Sequence, residues 1–154
     1  MTDIPREEWL SALCEVPEAE LNRVTNRFPA TWKVEPKALP QAGLGMLKMR
    51  DSTLGDAFYL GEFPLATCWL TVKIDNLLAA EGAALVMDDD LERTEKLALC
   101  DAVLSAQLEG WMDVQKLLIQ GMKRRQAIKQ ERKLMLSRTR VDFSLLDDVG
   151  DEYA

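Results

Sequence analysis

Three adjacent carboxylates, Asp88, Asp89 and Asp90, form a run of acids dense enough to hold a hard cation such as Mg²⁺. The same residues directly precede a helical pattern, where carboxylates satisfy orphan amides and complement the positive end of the helix dipole. Asp90 sits in the N-cap position, and capping with solvation is the simpler account. Cys14, Cys68 and Cys100 could supply a thiolate, but they are widely spaced and odd in number. That pattern suggests neither a disulfide framework nor a zinc or iron–sulfur site. Cys68 in a strand and Cys100 in a helix read as buried small hydrophobes. The chain has no histidine. Ser-His-Asp and Cys-His catalysis, imidazole metal ligation and the usual near-neutral proton shuttle are therefore excluded. Gly43-x-Gly45 lacks a third glycine and a following helix, and no GxxxxGK[ST] loop exists, so nucleotide binding by a known loop is not indicated. Trp9, Trp32, Trp69 and Trp111 read as core or interface anchors before base-stacking platforms.

A different chemistry is concentrated near the end of the chain. Residues 123–140 hold Lys123, Arg124, Arg125, Lys129, Arg132, Lys133, Arg138 and Arg140 against the single acid Glu131, a net +7. The other 136 residues carry 11 basic and 25 acidic side chains, a net −14. A solvated helix face normally mixes signs for i,i+4 support, and this one is almost purely cationic. Arginine suits bidentate contacts to carboxylate or phosphate. An acidic body with one basic arm is expected to meet an anionic surface on another molecule.

The elements that must position these groups follow from periodicity. Pro5 to Cys14 reads as a first helix with Asp3 as N-cap and Trp9, Leu10 and Leu13 on one face. Pro17 at a first-turn position opens a second helix to about Arg27, facing inward with Leu21, Val24 and Phe28. Pro29, Pro36 and Pro40 then leave at most a short strand over Thr31–Val34. Four further strands are expected at Gly43–Arg50, Ala57–Phe63, Leu65–Ile74 and Ala83–Met87, with a turn at residues 51–56. Their short connections favour antiparallel pairing. The period then changes to that of a helix over Leu91–Leu108, apolar around much of its circumference and ended by Gly110. A last helix runs from Trp111 or Met112 to about Ser137. On it Val114, Leu118, Gly121, Arg125, Ile128, Arg132 and Met135 share one stripe. The first half of that stripe suits the chain's own core and the second half does not. The fold class is α+β: a small antiparallel sheet of about four strands, flanked by N-terminal helices and two C-terminal helices, the last long and partly basic. Residues 1–146 form a single domain with a protruding C-terminal helix, and 147–154 an acidic tail.

At 154 residues, 47% apolar and 29% charged, the chain fits an ordinary soluble domain with a genuine core. A net charge of −7 argues against general nucleic-acid binding and leaves only the arm for it. No signal-peptide pattern or membrane-length apolar run is read, so the expected location is cytoplasmic, with reduced thiols.

The ending ERKLMLSRTRVDFSLL, residues 131–146, closely resembles the C-terminal signature of the PhnG family, the G subunit of the bacterial carbon–phosphorus lyase core complex. Within it, Ser137 or Arg138 followed by Thr139, Arg140, Val141, Asp142 and Phe143 matches an Ala/Ser-x-Thr-Arg-Val-Asp-Phe pattern. FYLGEFPLATCWLTV at 58–72, EKLALCDAVL at 95–104 and the opening REEWLSALCEVPEAEL agree in order and spacing. One departure lies after Gly61-Glu62: the family often carries Thr-Arg where this chain reads Ala66-Thr67, so no role of that arginine transfers.

The resemblance implies a subunit acting with three other core subunits, in which alkylphosphonate displaces purine from MgATP to give α-D-ribose 1-alkylphosphonate 5-triphosphate. It implies a radical-SAM subunit for later carbon–phosphorus cleavage and nucleosidase-like chemistry on a different, larger subunit. It assigns this chain no catalytic residues, no metal and no cofactor of its own; MgATP is a substrate of the complex. The residues expected to contact a partner subunit are Arg132, Arg138, Thr139, Arg140, Val141, Asp142 and Phe143. There Phe143 fills an apolar pocket, the arginines make charge-assisted bonds and Asp142 orients Arg140. Uncovered Met122, Ile128, Leu134 and Met135 also suggest self-association by helix exchange when the chain is isolated. The competing readings are an autonomous metal-dependent enzyme using the acidic cluster, and a nucleic-acid binder using the arm.

Overall fold

The computed structural model describes residues 4–74 and 78–138. Its elements are α1 (Arg6–Leu13), α2 (Glu18–Thr25), β1 (Lys33–Arg50), β2 (Ala57–Lys73), β3 (Ala79–Val86), α3 (Leu91–Ser105) and α4 (Trp111–Arg138). The α+β class stands, with three antiparallel strands in the order β1-β2-β3 in place of about four. Both N-terminal helices start one position after a proline that occupies the cap itself: Pro5 for α1, in place of Asp3, and Pro17 for α2. Extended backbone at each proline sets the chain direction, and acids in each first turn, Glu7 and Glu8 or Glu18 and Glu20, face the positive helix end.

The missing strand was not lost but fused. The segments expected at 31–34 and 43–50 are one 18-residue strand, and those at 57–63 and 65–74 are one of 17 residues. Proline cannot donate to a ladder, which is why Pro36 and Pro40 suggested breaks. In this sheet β1 is an edge strand, and its register shifts between Pro36 and Ala38 and between Ala38 and Gln41. Edge position and bulges together accommodate both rings. Pro64 is tolerated for a related reason. Strand β3 pairs only with residues 66–73 of β2, so Pro64 has a strand neighbour on one side alone.

Helix α3 covers one face of β2 and β3. The even-numbered residues Ala66, Cys68, Leu70 and Val72 point into that contact, as do Ala80, Ala84 and Val86. At Gly82 the helix comes so close that a Cβ would lie 2.1 Å from the Ala98 carbonyl oxygen. The stripe Leu97, Cys100, Leu104 and Leu108 is buried, as its period required. The helix ends at Ser105, short of Leu108 and without help from Gly110. Gln107 takes a left-handed φ of 50°, its amide donates to the Leu104 carbonyl, and the Leu108 amide donates to Val103. This is a Schellman stop with glutamine where glycine is usual. Behind α3 lie α1, α2 and the first half of α4.

Candidate partner-binding surface

Helix α4 is anchored along one half only. Val114, Leu117, Leu118 and Gly121 are buried, and Gly121 lets α4 touch α1 directly: a Cβ there would lie 2.0 Å from the Ala12 carbonyl oxygen. One turn on, the Arg124 guanidinium donates to Glu20 Oε1 at 3.1 Å and to the Glu15 carbonyl at 3.5 Å. Arg125 and Ile128 are half-buried. From Lys129 to Arg138 every side chain is exposed, including Leu134 at 64% and Met135 at 62%. The stripe from Val114 to Met135 thus leaves the body at Ile128, where its arginines begin to alternate. Residues 126–138 extend the helix by roughly 20 Å at about 1.5 Å per residue. Of the expected contact residues, Arg132 and Arg138 stand on this exposed half, and Thr139, Arg140, Val141, Asp142 and Phe143 lie outside the described residues, as does the tail 147–154.

The acidic run behaves as a cap. Asp88 Oδ1 accepts from the amides of Asp89 at 2.8 Å and Asp90 at 3.2 Å. Asp90 Oδ1 accepts from the Arg93 amide at 2.9 Å, and its carbonyl accepts from the Thr94 hydroxyl at 2.7 Å. Among the described residues no group of three or more metal-ligating side chains converges. The same acids line a cleft of about 880 Å³ between α1 and the β3–α3 turn. Its walls combine Glu7, Glu15, Glu18 and Asp88–Asp90 with Leu10, Met87 and Leu97, and Arg93 and Arg125 are its cations. The Arg93 guanidinium is committed to structure, donating to the carbonyls of Cys14 at 2.8 Å and Val16 at 3.0 Å.

The thiols are not nucleophiles in waiting. Complete burial, with Asp101 nearby, pushes Cys100 up to about 12. Burial also raises Cys68 and Cys14, the latter against an opposing pull from Arg93. A thiolate is the reactive form, so all three shifts lower reactivity near neutral pH. Trp9, Trp32 and Trp111 pack against the core, Trp9 donating to the Ile4 carbonyl at 2.9 Å and Trp32 stacking on Phe28 at 5.4 Å between ring centres, while Trp69 is exposed with Lys37 4.6 Å above its ring.

Two features escaped the sequence. Asp101 accepts a bidentate pair from Arg6, at 3.1 and 2.7 Å, and also the Ala83 amide at 3.1 Å, tying α1, α3 and β3 together. No local pattern links residues 95 positions apart. The second is a β ribbon. Beyond the last β3 partner, residues 43–50 and 57–65 continue as two strands alone. Leu44, Met46, Leu47, Met49, Phe58, Tyr59 and Leu60 are all exposed on it. A signal existed, because 43–50 and 57–63 carry large apolar residues at both parities, which no half-buried strand would.

The basic half-helix and the ribbon are thus the two exposed extensions of the body. The sequence profile described as phosphonate metabolism protein PhnG matches residues 4–147. The chain belongs to the PhnG family. The match takes in every helix and strand described here, so the PhnG assignment concerns the whole fold and not one motif. A search of curated proteins gave no match. Among the described residues of this PhnG-family chain, no helix is long and apolar enough to cross a membrane.

Proposed function

We propose that this chain is an accessory, non-catalytic subunit of the complex that activates alkylphosphonates in organic phosphonate catabolism. In that reaction alkylphosphonate displaces purine from MgATP, giving α-D-ribose 1-alkylphosphonate 5-triphosphate. The chain binds no cofactor of its own, and its partners are the other carbon–phosphorus lyase core subunits in the cytoplasm. The observation that carries the reading is the exposed, cationic second half of α4 on an acidic body. Family membership supplies the pathway. The absence of histidine and the capping role of Asp88–Asp90 support an accessory role over an autonomous metal-dependent enzyme.

In this role the block Arg132, Arg138, Thr139, Arg140, Val141, Asp142 and Phe143 anchors the partner. Aromatic and arginine side chains dominate interface energetics, and truncating an anchor costs about 2 kcal/mol or more, near thirtyfold in affinity. Phe143→Ala tests this. The expected result is an unchanged melting temperature of the isolated chain with loss of copurification with the other core subunits from the native host. A melting temperature lowered by several degrees with copurification intact would make Phe143 internal structure and defeat the anchor.

A further inference from the structure

The β ribbon and the outer half of α4 leave the body at the same end. The last β2–β3 pair is Ala66 with Val86, and the ribbon begins beyond it. Val86 and the Asp88–Asp90 turn line the cleft that Arg125 also lines, and α4 becomes exposed just past Ile128, one turn on. The helix that fills the layer between sheet and α4, α3, ends at this level with its cap Asp90. Past that cap, among the described residues, no layer separates the two prongs.

The inward face of the ribbon continues the face that α3 covers. In β2 the even residues Ala66, Cys68, Leu70 and Val72 meet α3, and the same parity continues outward through Pro64 and Glu62 as far as the register shift, where Leu60 is the extra residue of β2. Opposite them stand Leu44, paired with Pro64, and Met46, paired with Glu62. Leu44 is 70% exposed and Met46 59%. This is a sheet face lacking its helix, and an isolated two-stranded ribbon is marginal in water. The outer half of α4, with Ile128, Leu134 and Met135, is a helix lacking its sheet.

We propose that the gap between the prongs is filled by the outer half of α4 from a second copy of this chain, in a reciprocal exchange about a two-fold axis. Three observations select that occupant. The ribbon extends roughly 30 Å at about 3.4 Å per residue and the half-helix roughly 20 Å, so one fits along the other. The floor of the gap is acidic and apolar, with Glu7, Glu15, Asp88 and Asp89 beside Leu10 and Met87, and the half-helix is basic and apolar, with Lys129 and Lys133. The chain's own last segment is ill matched to an acidic floor, because residues 147–154 hold four acids and no base. Antiparallel pairing of two α4 helices returns each C-terminal end toward the other copy's Arg125, which is where the acidic floor lies. The proposal does not rest on the accessory-subunit reading, which concerns unlike partners.

Reciprocity gives a sharp test on the full chain, read by sedimentation at concentrations from about 1 to 100 µM. The wild type is expected to form a dimer. A ribbon variant, Leu44→Asp with Met46→Asp, and a helix variant, Leu134→Asp with Met135→Asp, each spoil both junctions and weaken the dimer about a hundredfold or more. All four residues are exposed in the single chain, so circular dichroism should show both variants folded. An equimolar mixture retains one intact junction per pair and regains a heterodimer. Should either variant unfold, hydrogen exchange on the wild type decides: residues 43–50 and 126–138 gain protection together as concentration rises. A wild type that stays monomeric across the range overturns the proposal, and protection of both prongs only on adding other core subunits would assign the gap to them. A mixture that does not recover, or a variant that leaves the dimer unaltered, overturns the exchange.

Discussion

Replacing Gly121 by alanine should destabilise the protein although the position is in the middle of a helix. Propensity alone predicts the opposite, because alanine is better than glycine in a helix interior by about 1 kcal/mol. The added methyl, however, would lie 2.0 Å from the Ala12 carbonyl oxygen, 2.7 Å from its carbon and 3.3 Å from Val16 Cγ2. Two of those atoms are backbone and cannot swing aside. Reaching a tolerable contact of 3.0 Å requires α4 to withdraw from α1 by about 1 Å, opening a seam lined by Ala12, Leu13, Val16, Val114 and Leu118, all at most 1% exposed. Overpacking of this kind costs about 1–3 kcal/mol. Taking the upper end for a backbone clash and subtracting the propensity gain leaves a net loss of about 2 kcal/mol. For a chain of this size that is a fall of about 4–8 °C in melting temperature, with a matching drop in the urea midpoint. Gly43→Ala is the control, since nothing lies within 4 Å of its Cβ position. A Gly121→Ala protein as stable as its parent, or more so, would refute the close approach of α1 and α4 as the device that aims the outer half-helix.

Asp90→Ala removes the side-chain acceptor for the Arg93 amide and should lower stability by about 1 kcal/mol, measured by urea unfolding; an unaltered midpoint would count against the capping account. Gln107→Gly should stabilise by about 0.5–1 kcal/mol, because a left-handed φ strains any residue with a Cβ, and a lower melting temperature would contradict that. Glu35, held by hydrogen bonds from Lys33 and Lys73, has its pKa lowered from 4.5 to about 2, so its carboxylate should titrate near 2 by NMR. A depressed carboxylate contributes above its unfolded value and the contribution is lost as pH falls toward 2. Lys33→Met should move the Glu35 midpoint upward, and no movement would dissolve the pair.

What could be read from sequence was whatever has a short period. Burial of α3 was legible because Leu97, Cys100, Leu104 and Leu108 recur at helical spacing, and the inward parity of β2 because Cys68, Leu70 and Val72 alternate with Trp69, Thr71 and Lys73. The exit of α4 from the body was legible in its stripe, where Arg125 and Arg132 interrupt the apolar run. Strand continuity was not, because the effect of Pro36, Pro40 and Pro64 depends on which strands have neighbours, a property of the assembled sheet. Nor were the Arg6–Asp101 and Arg124–Glu20 contacts, whose partners come together only through tertiary packing. The anchoring block from Thr139 to Phe143 rests on sequence, since it lies outside the described residues.

The prolines of β1 are unevenly distributed, and this bears on how the chain must be made. Pro36 and Pro40 spoil the outer hydrogen-bonding edge near the root of the strand, but residues 41–47, QAGLGML, carry neither proline nor charge. Such an edge is a template for any passing strand. Until a newly made chain meets the second copy that covers its ribbon, this edge is open to a wrong strand, and faster synthesis raises the number of chains waiting at once. Expression alone in a foreign host should therefore yield protein whose soluble fraction falls as the rate of synthesis rises.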